Sequence, residues 1–329
     1  MRYKITLSYN GAGFCGWQIQ PGDPSVQGAL QDALSTLLGT PTEVVGAGRT
    51  DTGVHASFYV AHFDYDAGAG TEAESGIEAT ATGGNRCPDL DTAQLAYHLN
   101  AILPKDIAIY SIEPVSDDFH ARFSAKSREY QYFIHNRKNP FKNEFSWYCR
   151  FDLDIDRMNR ACAYLLGTHD CKCFEKTGSD NRTSVCEIYA AGWEISERNV
   201  SGRSLVEPLA TAGLSPSARA ESIKMLSVNP LATPGLTEGE GPKLAWEGPI
   251  ATQSGRGNEP AVKWSELKFT IEANRFLRNM VRAIVGTMVD IGRGKHEPEY
   301  ILELLEKGTR SDAGQSVPGH ALFLTGIKY

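Results

Sequence analysis

Hydrophobic and polar residues recur with two different periods along the first part of the chain. A period of two in residues 3–9, 54–63 and 107–115 predicts strands, because successive strand side chains point to opposite faces of a sheet. Apolar residues at helical spacing predict a helix after Ser25, a favourable N-cap residue, and a second helix over residues 92–103. This part of the chain is therefore predicted to run β-α-β-α-β.

The same two patterns continue in the rest of the chain. Alternating residues predict strands over residues 127–136, 184–196, 264–273 and 322–329. Helical spacing predicts helices over residues 154–167, with Asp154 as the N-cap, 275–292 and 298–308. Strands and helices that are mixed in this way predict the α+β class.

Two stretches lack either period. Residues 64–91 are rich in Gly, Ala, Thr and acidic side chains, and residues 197–262 are rich in Gly, Pro, Ser and Ala. Neither has enough large apolar residues to bury a core, so we interpret the first as a flexible acidic insertion and the second as an expanded hairpin loop.

The stretch GAGRTDTGVH, residues 46–55, lies between two predicted strands and is crowded with glycine and polar side chains. Glycine lets the backbone turn sharply, so Arg49, Asp51 and the two threonines beside them can be held in a fixed, non-repeating geometry. A cation, a carboxylate and two hydroxyls within four residues suit a chemical site.

Two simpler interpretations of this stretch compete with catalysis. Asp51 could be a turn residue that bonds its own backbone and has Arg49 as a surface ion partner. Gly48 and Gly53 have the spacing of a phosphate-binding loop, but Val54 and His55 follow in place of Lys and Ser or Thr, and a strand follows in place of a helix.

Several long motifs resemble, in the same order, those of the TruA-type family of tRNA pseudouridine synthases. These motifs are YNGAGFCGWQ (9–18), GAGRTDTGVHA (46–56), DDFHARFSAKSREYQYFIHN (117–136), LLG (165–167) and RFLRNMVRAIVGTMVDIG (275–292). The resemblance covers nearly the whole chain apart from the two insertions.

The resemblance implies a fold and an activity. The fold has two α+β sub-domains, here residues 1–116 and 117–329, whose antiparallel sheets join into one extended sheet flanked by helices, with a cleft between them. The activity is isomerisation of uridine to pseudouridine on the 3′ side of the anticodon stem-loop of tRNA, at positions 38 to 40. It is Asp-dependent and uses no cofactor or metal, and the enzyme is a homodimer.

The resemblance also assigns site residues. Asp51 matches the catalytic aspartate, which attacks the ribose, adds to the ring or abstracts a proton. Arg282 matches the arginine that pairs with it, and Tyr130 matches the tyrosine beside the uracil. Tyr132 lies on the same strand face as Tyr130 and could be confused with it. Arg49 and His55 fall beside Asp51 in the motif, which assigns them to RNA binding and base extrusion, although His55 could equally be a structural strand histidine.

The net charge of −7 is unfavourable for an RNA partner, but the charge is unevenly distributed. Residues 64–91 hold seven acidic residues against Arg86, which accounts for most of the excess. Basic residues cluster in residues 122–142 and 275–295, beside the matched motifs, and predict an RNA-binding cleft.

Seven cysteines without regular spacing predict free thiols in a reducing compartment. Cys171, Cys173, Cys186 and His169 could be considered as a zinc site, but their C-x-C spacing is unusual for zinc and buried thiols are the better interpretation. No run approaches the about 20 apolar residues of a membrane span, and the chain begins directly with a strand pattern. A cytoplasmic location without membrane association is expected.

Two other functions are compatible with parts of the sequence. An RNA methyltransferase would need a cofactor site, and no G-x-G-x-x-G follows a strand. A catalytically silent RNA-binding protein or chaperone on the same fold would be indicated by loss of Asp51, which is present.

Overall fold

The computed structural model describes residues 1–66, 90–179, 182–198 and 264–329. Most of the two predicted insertions, including the acidic stretch and the expanded hairpin loop, lies outside these residues. Asp64 and Asp91, at the limits of the first insertion, belong to the fold, because Asp64 ends a strand and Asp91 caps a helix.

Within the described residues ten strands form one mixed sheet. The strands are β1 (Arg2–Tyr9), β2 (Val44–Gly46), β3 (His55–Asp64), β4 (Ile107–Val115), β5 (Ser127–His135), β6 (Trp147–Tyr148), β7 (Gly167–Asp170), β8 (Val185–Arg198), β9 (Trp264–Ala273) and β10 (Leu322–Lys328). Their order is β4-β1-β3-β10-β5-β9-β8-β7, and β2 pairs with β3 while β6 pairs with β5. The α+β class predicted from the sequence is confirmed.

The two halves of the sheet meet at β10. This strand pairs antiparallel with β5 along most of its length and parallel with β3 at His55 and Ala56. The pairing at this junction is parallel, because β3 and β10 run in the same direction. The short strands β6 and β7 were missed, because strands of two and four residues carry no clear alternation.

Five helices in the described part of the chain pack on the sheet. They are α1 (Val26–Leu38), α2 (Thr92–Ile102), α3 (Ile155–Ala163), α4 (Met280–Gly292) and α5 (Tyr300–Lys307). Ser25, Asp91 and Asp154 accept hydrogen bonds from backbone N–H groups of the first turns of α1, α2 and α3, which confirms the predicted N-caps of α1 and α3.

The helix predicted over residues 275–292 is shorter than its pattern suggested, because α4 begins only at Met280. Asn279 has a φ of 65°, in the left-handed region, so the chain cannot be helical through this residue. Residues 275–278 therefore form an irregular segment, and Phe276, which the predicted helix included, is not helical.

The hydrophobic side chains form two clusters, one in each half of the sheet. In the first, Ile5 and Leu7 of β1 pack with Leu30 and Leu34 of α1. In the second, α4 is buried almost throughout and packs with β5, β9 and α3. Tyr130 contacts both clusters, so it lies where the two halves meet.

None of the helices in the described ranges is both long enough and apolar enough to cross a membrane.

Candidate active site

The loop between β2 and β3 carries Asp51 at a tight turn. The Asp51 carbonyl accepts a hydrogen bond from the Val54 N–H at 3.1 Å, and Gly53 within the turn has a φ of 74°. The Asp51 side chain keeps 27% of its surface exposed, whereas Thr50 before it is buried. The turn therefore leaves the carboxylate open to the space in front of it, which we call the cleft, and fixes the backbone behind it.

The first motif supports this loop through glycines that could not be replaced. A Cβ atom on Gly16 would lie 2.2 Å from the Thr50 carbonyl oxygen, and one on Gly11 would lie 2.0 Å from that of Val54. Gly16 also has a φ of 100°, which disfavours any other residue. Backbone therefore packs directly on backbone on both sides of Asp51.

Aromatic side chains fill the space under the loop. The Tyr59 hydroxyl bonds to both the N–H and the carbonyl of Gly48, and its ring stacks on Trp17 with centroids 4.2 Å apart. The Tyr9 hydroxyl meets the Thr50 hydroxyl at 2.9 Å. Burial raises the pKa of Tyr59 well above its usual value, so this hydroxyl stays protonated and acts as a fixed donor.

Arg282, in the first turn of α4, faces the carboxylate. Its Nη1 lies 3.6 Å from Oδ2 of Asp51, and both side chains are about three-quarters buried, with 22% and 27% of their surface exposed. Its Nε donates to the Val317 carbonyl at 2.6 Å, and the Val317 N–H donates back to the Arg282 carbonyl at 3.3 Å. The guanidinium is therefore held by backbone as well as by the ion pair.

The segment before β10 is pressed against α4, and this fixes Val317. A Cβ atom on Gly286 would lie 1.9 Å from the Gln315 carbonyl oxygen, and one on Gly314 would lie 2.4 Å from the Thr287 nitrogen. The Gly314 N–H also donates to the Thr287 hydroxyl at 2.9 Å. The two facing glycines thus let the segment before β10 cross close to α4. This crossing fixes Val317, whose carbonyl positions Arg282.

Tyr130 lies on β5 next to this pair. Its ring packs edge-on against Phe276, with centroids 5.1 Å apart and an interplanar angle of 84°. Burial and then the charge of Asp51 raise the pKa of the Tyr130 hydroxyl, while Arg128 acts in the opposite direction. The hydroxyl is therefore protonated at neutral pH and close enough to Asp51 to be affected by its charge.

Tyr132 points to the same face of β5 but is used differently. It is fully buried, and its hydroxyl donates to the Pro318 carbonyl at 3.0 Å. Tyr132 therefore holds the segment before β10, while Tyr130 remains next to the cleft.

Arg49 and His55 lie on either side of Asp51 in very different surroundings. Arg49 is exposed. His55 is 1% exposed, its Nδ1 accepts from the Gly11 N–H at 3.0 Å, and its Nε2 lies 2.9 Å from the His320 carbonyl. These bonds require a neutral ring with the proton on Nε2, and burial lowers the His55 pKa in agreement. The contacts fit the structural role that the sequence left open for His55.

Arg128 is a site residue that the sequence did not single out. Its guanidinium donates to four backbone carbonyls: those of Ala47 at 3.2 Å, Arg122 at 2.6 Å, Ala125 at 3.0 Å and Asn274 at 2.9 Å. It ties the base of the Asp51 loop to the segment that carries Phe276. The signal was available, since Arg128 is two residues before Tyr130 and must share its face, but it was counted as part of a basic cluster.

In both basic clusters the structure shows some residues paired with carboxylates and others exposed. Lys142 forms an ion pair with Glu266, and Arg293 and Lys295 pair with Asp290 at the end of α4 remote from Arg282. These residues are therefore engaged away from the cleft. The exposed basic residues beside the motifs also include Arg49, Arg122, Lys126, Arg137, Lys138 and Arg278.

The cysteines considered as zinc ligands are buried. The thiols of Cys171 and Cys186 donate to backbone carbonyls at 3.7 Å each, and Cys173 is 2% exposed. Within the described ranges, no group of three or more His, Cys, Asp or Glu side chains has a geometry that could hold a metal ion.

The arrangement as a whole brings together a carboxylate, a guanidinium and a protonated phenol at the junction of the two halves. The carboxylate can act as a nucleophile or base, and the guanidinium 3.6 Å from it can pair with it. The phenol can pack against a planar base and donate a hydrogen bond to it. Such a site suits chemistry on a flat, uncharged heterocycle.

Comparison with known proteins gives consistent matches. Residues 161–329 match the model of the tRNA pseudouridine synthase family. The whole chain is 37% identical to tRNA pseudouridine synthase A of Parabacteroides distasonis, covering 96% of that protein. It is also 36% identical to the protein of the same name from Bacteroides thetaiotaomicron, covering 90% of it. It is 31% identical to that from Bacillus subtilis, covering 99%.

Proposed function

The chain belongs to the tRNA pseudouridine synthase family, whose members are isomerases. On that premise we propose that Asp51 catalyses the conversion of uridine to pseudouridine in the anticodon stem-loop of tRNA. The substrate uridines are those on the 3′ side of the loop, at positions 38 to 40. The observation that carries the proposal is the Asp51–Arg282 pair, with its 3.6 Å separation, beside Tyr130 at the junction of the two halves.

The reaction exchanges one bond to the ribose for another. The bond from C1′ of the ribose to N1 of uracil breaks, the detached uracil rotates, and a bond forms from C1′ to C5. The hydrogen on C5 leaves and N1 gains one, so atoms and electrons balance and the protein alone is proposed to suffice. The catalytic groups need only supply an ionised carboxylate, a proton donor and a pocket that holds the free base.

Asp51 is proposed as the group that starts this exchange. The Arg282 guanidinium lies 3.6 Å from the carboxylate and is held in that position by its bond to the Val317 carbonyl. The geometry is compatible with three routes, which are attack on C1′, addition to C6 of the ring and abstraction of a ribose proton. Each of them begins from ionised Asp51.

Tyr130 is proposed to hold and protonate the uracil. Burial, and after it the charge of Asp51, raises the pKa of the Tyr130 hydroxyl, so the phenol keeps its proton beside the base. The hydroxyl can then donate a hydrogen bond or its proton to the detached uracil as charge develops there.

Arg49 and His55 have separate proposed roles. Arg49 is exposed beside Asp51, and we assign it to the phosphate backbone of the RNA and to the space left by the extruded nucleotide. For His55 the two bonds to backbone favour a role in holding the loop against β10 rather than in contacting RNA.

Three wider features remain predictions. The homodimer and the division into sub-domains at residues 116 and 117 come from the resemblance, and the cytoplasmic location comes from the sequence itself.

The test is to incubate the purified protein alone with unmodified tRNA transcripts and to map pseudouridine by carbodiimide labelling and primer-extension stops. Wild-type protein is expected to give stops in the anticodon arm at positions 38 to 40, and Asp51→Ala is expected to give none while still binding tRNA. Asp32→Ala, which removes an exposed carboxylate on α1, is the matched control and should behave as wild type.

Other outcomes have distinct meanings. Stops outside the anticodon arm would refute the proposed position but keep the activity. An unchanged yield with Asp51→Ala would refute its catalytic role. Binding without stops on any transcript would favour the silent RNA-binding alternative.

A further inference from the structure

The segment between β4 and β5 presents an aromatic ring to solvent. Phe123 is 76% exposed, whereas Phe119 in the same segment packs against Tyr329 with ring centroids 5.1 Å apart. The Arg122 guanidinium carbon lies 5.6 Å from the centroid of the Phe123 ring, and the His120 ring lies 4.4 Å from it. An exposed phenylalanine surrounded by nitrogen-rich side chains is unusual, since large apolar side chains are normally buried.

The backbone under Phe123 is firmly held. The Ala121 N–H donates to Nδ1 of buried His62 at 3.1 Å, and the Ala121 carbonyl accepts from the Tyr329 hydroxyl at 2.8 Å. The Ser124 N–H donates to the His120 carbonyl at 2.9 Å. The exposure of Phe123 is therefore imposed by an anchored segment, so its backbone is already fixed before any partner binds.

This segment borders the cleft. One nitrogen of Arg128, Nη2, donates both to the Arg122 carbonyl at 2.6 Å and to the Ala47 carbonyl at 3.2 Å. Ala47 lies at the base of the loop that carries Asp51, and Arg128 shares a strand face with Tyr130. The backbone of Arg122, the residue before Phe123, therefore lies beside the base of the Asp51 loop.

The charge of the segment is complementary to RNA. Arg122 and Lys126 are exposed, and among the described residues neither forms an ion pair with a carboxylate. The acidic residues of the segment are Asp117 and Asp118, and Asp118 accepts a hydrogen bond from Ser116. The basic side chains lie on the side of β5 and the cleft, and they are available to phosphate.

We propose that residues 120–126 form a nucleotide platform, on which Phe123 stacks with an unpaired base of the tRNA next to the target uridine. Arg122 and Lys126 bind the adjoining phosphates. Unpaired RNA bases are commonly recognised by stacking on aromatic side chains with basic residues beside them. A uridine withdrawn from the loop disrupts the stacking of its neighbour, and the platform supplies a replacement surface for that neighbour. The inference rests on the proposed function, because it assumes that the cleft receives tRNA.

The first test measures KM and kcat for an unmodified tRNA transcript, from the tritium that C5 of labelled uridine releases. Phe123→Ala is expected to raise KM about tenfold, equivalent to about 1.4 kcal/mol, with kcat changed less than about threefold. Phe123→Leu, which keeps an apolar side chain but no ring, should have the same defect. Phe123→Tyr should restore the wild-type KM.

The matched control is Phe141→Ala. Phe141 is 91% exposed and is also surrounded by basic residues, but it follows the end of β5 that is remote from Arg128. We expect its KM to equal that of wild type. If both alanine variants raise KM equally, a general loss of surface contact explains the effect and the platform is refuted.

The second test separates stacking from charge. Arg122→Gln and Lys126→Gln should each reduce the slope of log KM against log salt concentration by about 0.7 to 0.9, because each removes one phosphate contact. Phe123→Ala should leave that slope unchanged. Melting temperatures should stay at the wild-type value in all these variants, since the side chains are exposed.

The outcomes distinguish this inference from the proposed function. An inactive wild-type protein would refute the proposed function. An active wild-type protein whose Phe123→Ala and Phe123→Leu variants keep the normal KM would refute the platform alone. So would a Phe123→Leu variant with normal KM beside a defective Phe123→Ala, because the ring would then be unnecessary.

Discussion

Replacing Arg128 tests whether the geometry of the site depends on the residue that joins its walls. Arg128→Met keeps the length and the apolar stem of the side chain but removes every donor. Four carbonyl groups lose their partner, and three of these bonds, to Ala47, Ala125 and Asn274, are partly buried. The fourth, to Arg122, is at the surface, where water can replace the guanidinium.

The structure gives a magnitude for this change. A buried acceptor without a partner costs about 1–3 kcal/mol, and the lower value applies to groups that are only partly buried. Three such carbonyls give about 3 kcal/mol of lost stability. For 329 residues, an unfolding entropy of about 2.1 cal/mol/K per residue converts this loss into a fall in Tm of about 4 °C. Arg128→Lys keeps the charge and can reach one or two of the carbonyls, so about half the loss is expected.

The effect on catalysis should exceed the effect on binding. Without the tether, the base of the Asp51 loop is no longer fixed relative to the segment before α4. A displacement of about 1 Å at a reacting group can reduce the rate about 100-fold. We therefore expect kcat to fall about 100-fold at a temperature well below the melting transition, with KM changed less than about threefold.

Arg157→Met is the matched control for this experiment. Arg157 also donates to backbone carbonyls, those of Ile291 at 3.4 Å and His296 at 2.9 Å, and it pairs with Glu297. It lies on α3, at the far end of α4 from Arg282. Its loss should lower Tm and leave kcat unchanged. If Arg128→Met keeps the wild-type kcat once the folded fraction is allowed for, or if both variants lose kcat in parallel with Tm, the positioning role is wrong.

Four further predictions follow from contacts described above. Gly16→Ala places a methyl group 2.2 Å from a carbonyl oxygen of the catalytic loop at a φ of 100°, so we expect a loss of about 2–4 kcal/mol and reduced kcat, measured by thermal unfolding and turnover. Tyr130→Phe should lower kcat about 100-fold or more with little change in Tm, because it removes the proton donor. Tyr132→Phe should instead cost about 1 kcal/mol of stability and keep most of the kcat, because its hydroxyl bonds to a backbone carbonyl. Burial lowers the pKa of His62 from 6.5 to about 4, so the unfolded chain binds the proton more tightly; stability should be complete above pH 6.5 and fall as the pH is lowered towards 4.

Each of these predictions has a control in the same chain. Gly13→Ala, where an added Cβ meets nothing within 4 Å, should be harmless beside Gly16→Ala. Equal kcat losses in the two tyrosine variants would contradict the separate roles of Tyr130 and Tyr132. His62→Phe should flatten the acid limb of the stability profile, whereas His98→Gln on the exposed face of α2 should not; an unchanged profile in His62→Phe would reject the assignment.

Periodicity and capping residues predicted the elements that have simple local causes. Ser25 and Asp154 were recognised as N-caps because a cap depends only on the residues beside it. The start of α4 was wrong by five residues, since an apolar pattern continues through Asn279 although its backbone is left-handed. A hydrophobic pattern reports which side chains are buried, and it carries no information on a single φ angle.

The site was predictable only where a motif carried it. Nothing in the composition or spacing joins Asp51 to Arg282, and their pairing was inferred from the resemblance. Arg128 was misinterpreted as a surface cation. A sequence cannot show that its guanidinium binds backbone carbonyl groups and not carboxylates. The parallel junction at His55 was missed for a similar reason, because pairing partners distant in sequence leave no local signal.

The position of β10 between β3 and β5 has a consequence for synthesis of the protein. This strand is the last of the described elements to leave the ribosome, yet it holds the two halves of the sheet together. Until it emerges, β3 and β5 have open edges, and the Asp51 loop cannot dock against the backbone around His320. A nascent chain can therefore begin to bury its first hydrophobic cluster early, but the site around Asp51 is complete only after translation has passed residue 328. With Asp51 as the proposed catalytic group, the activity would arise in a single late step.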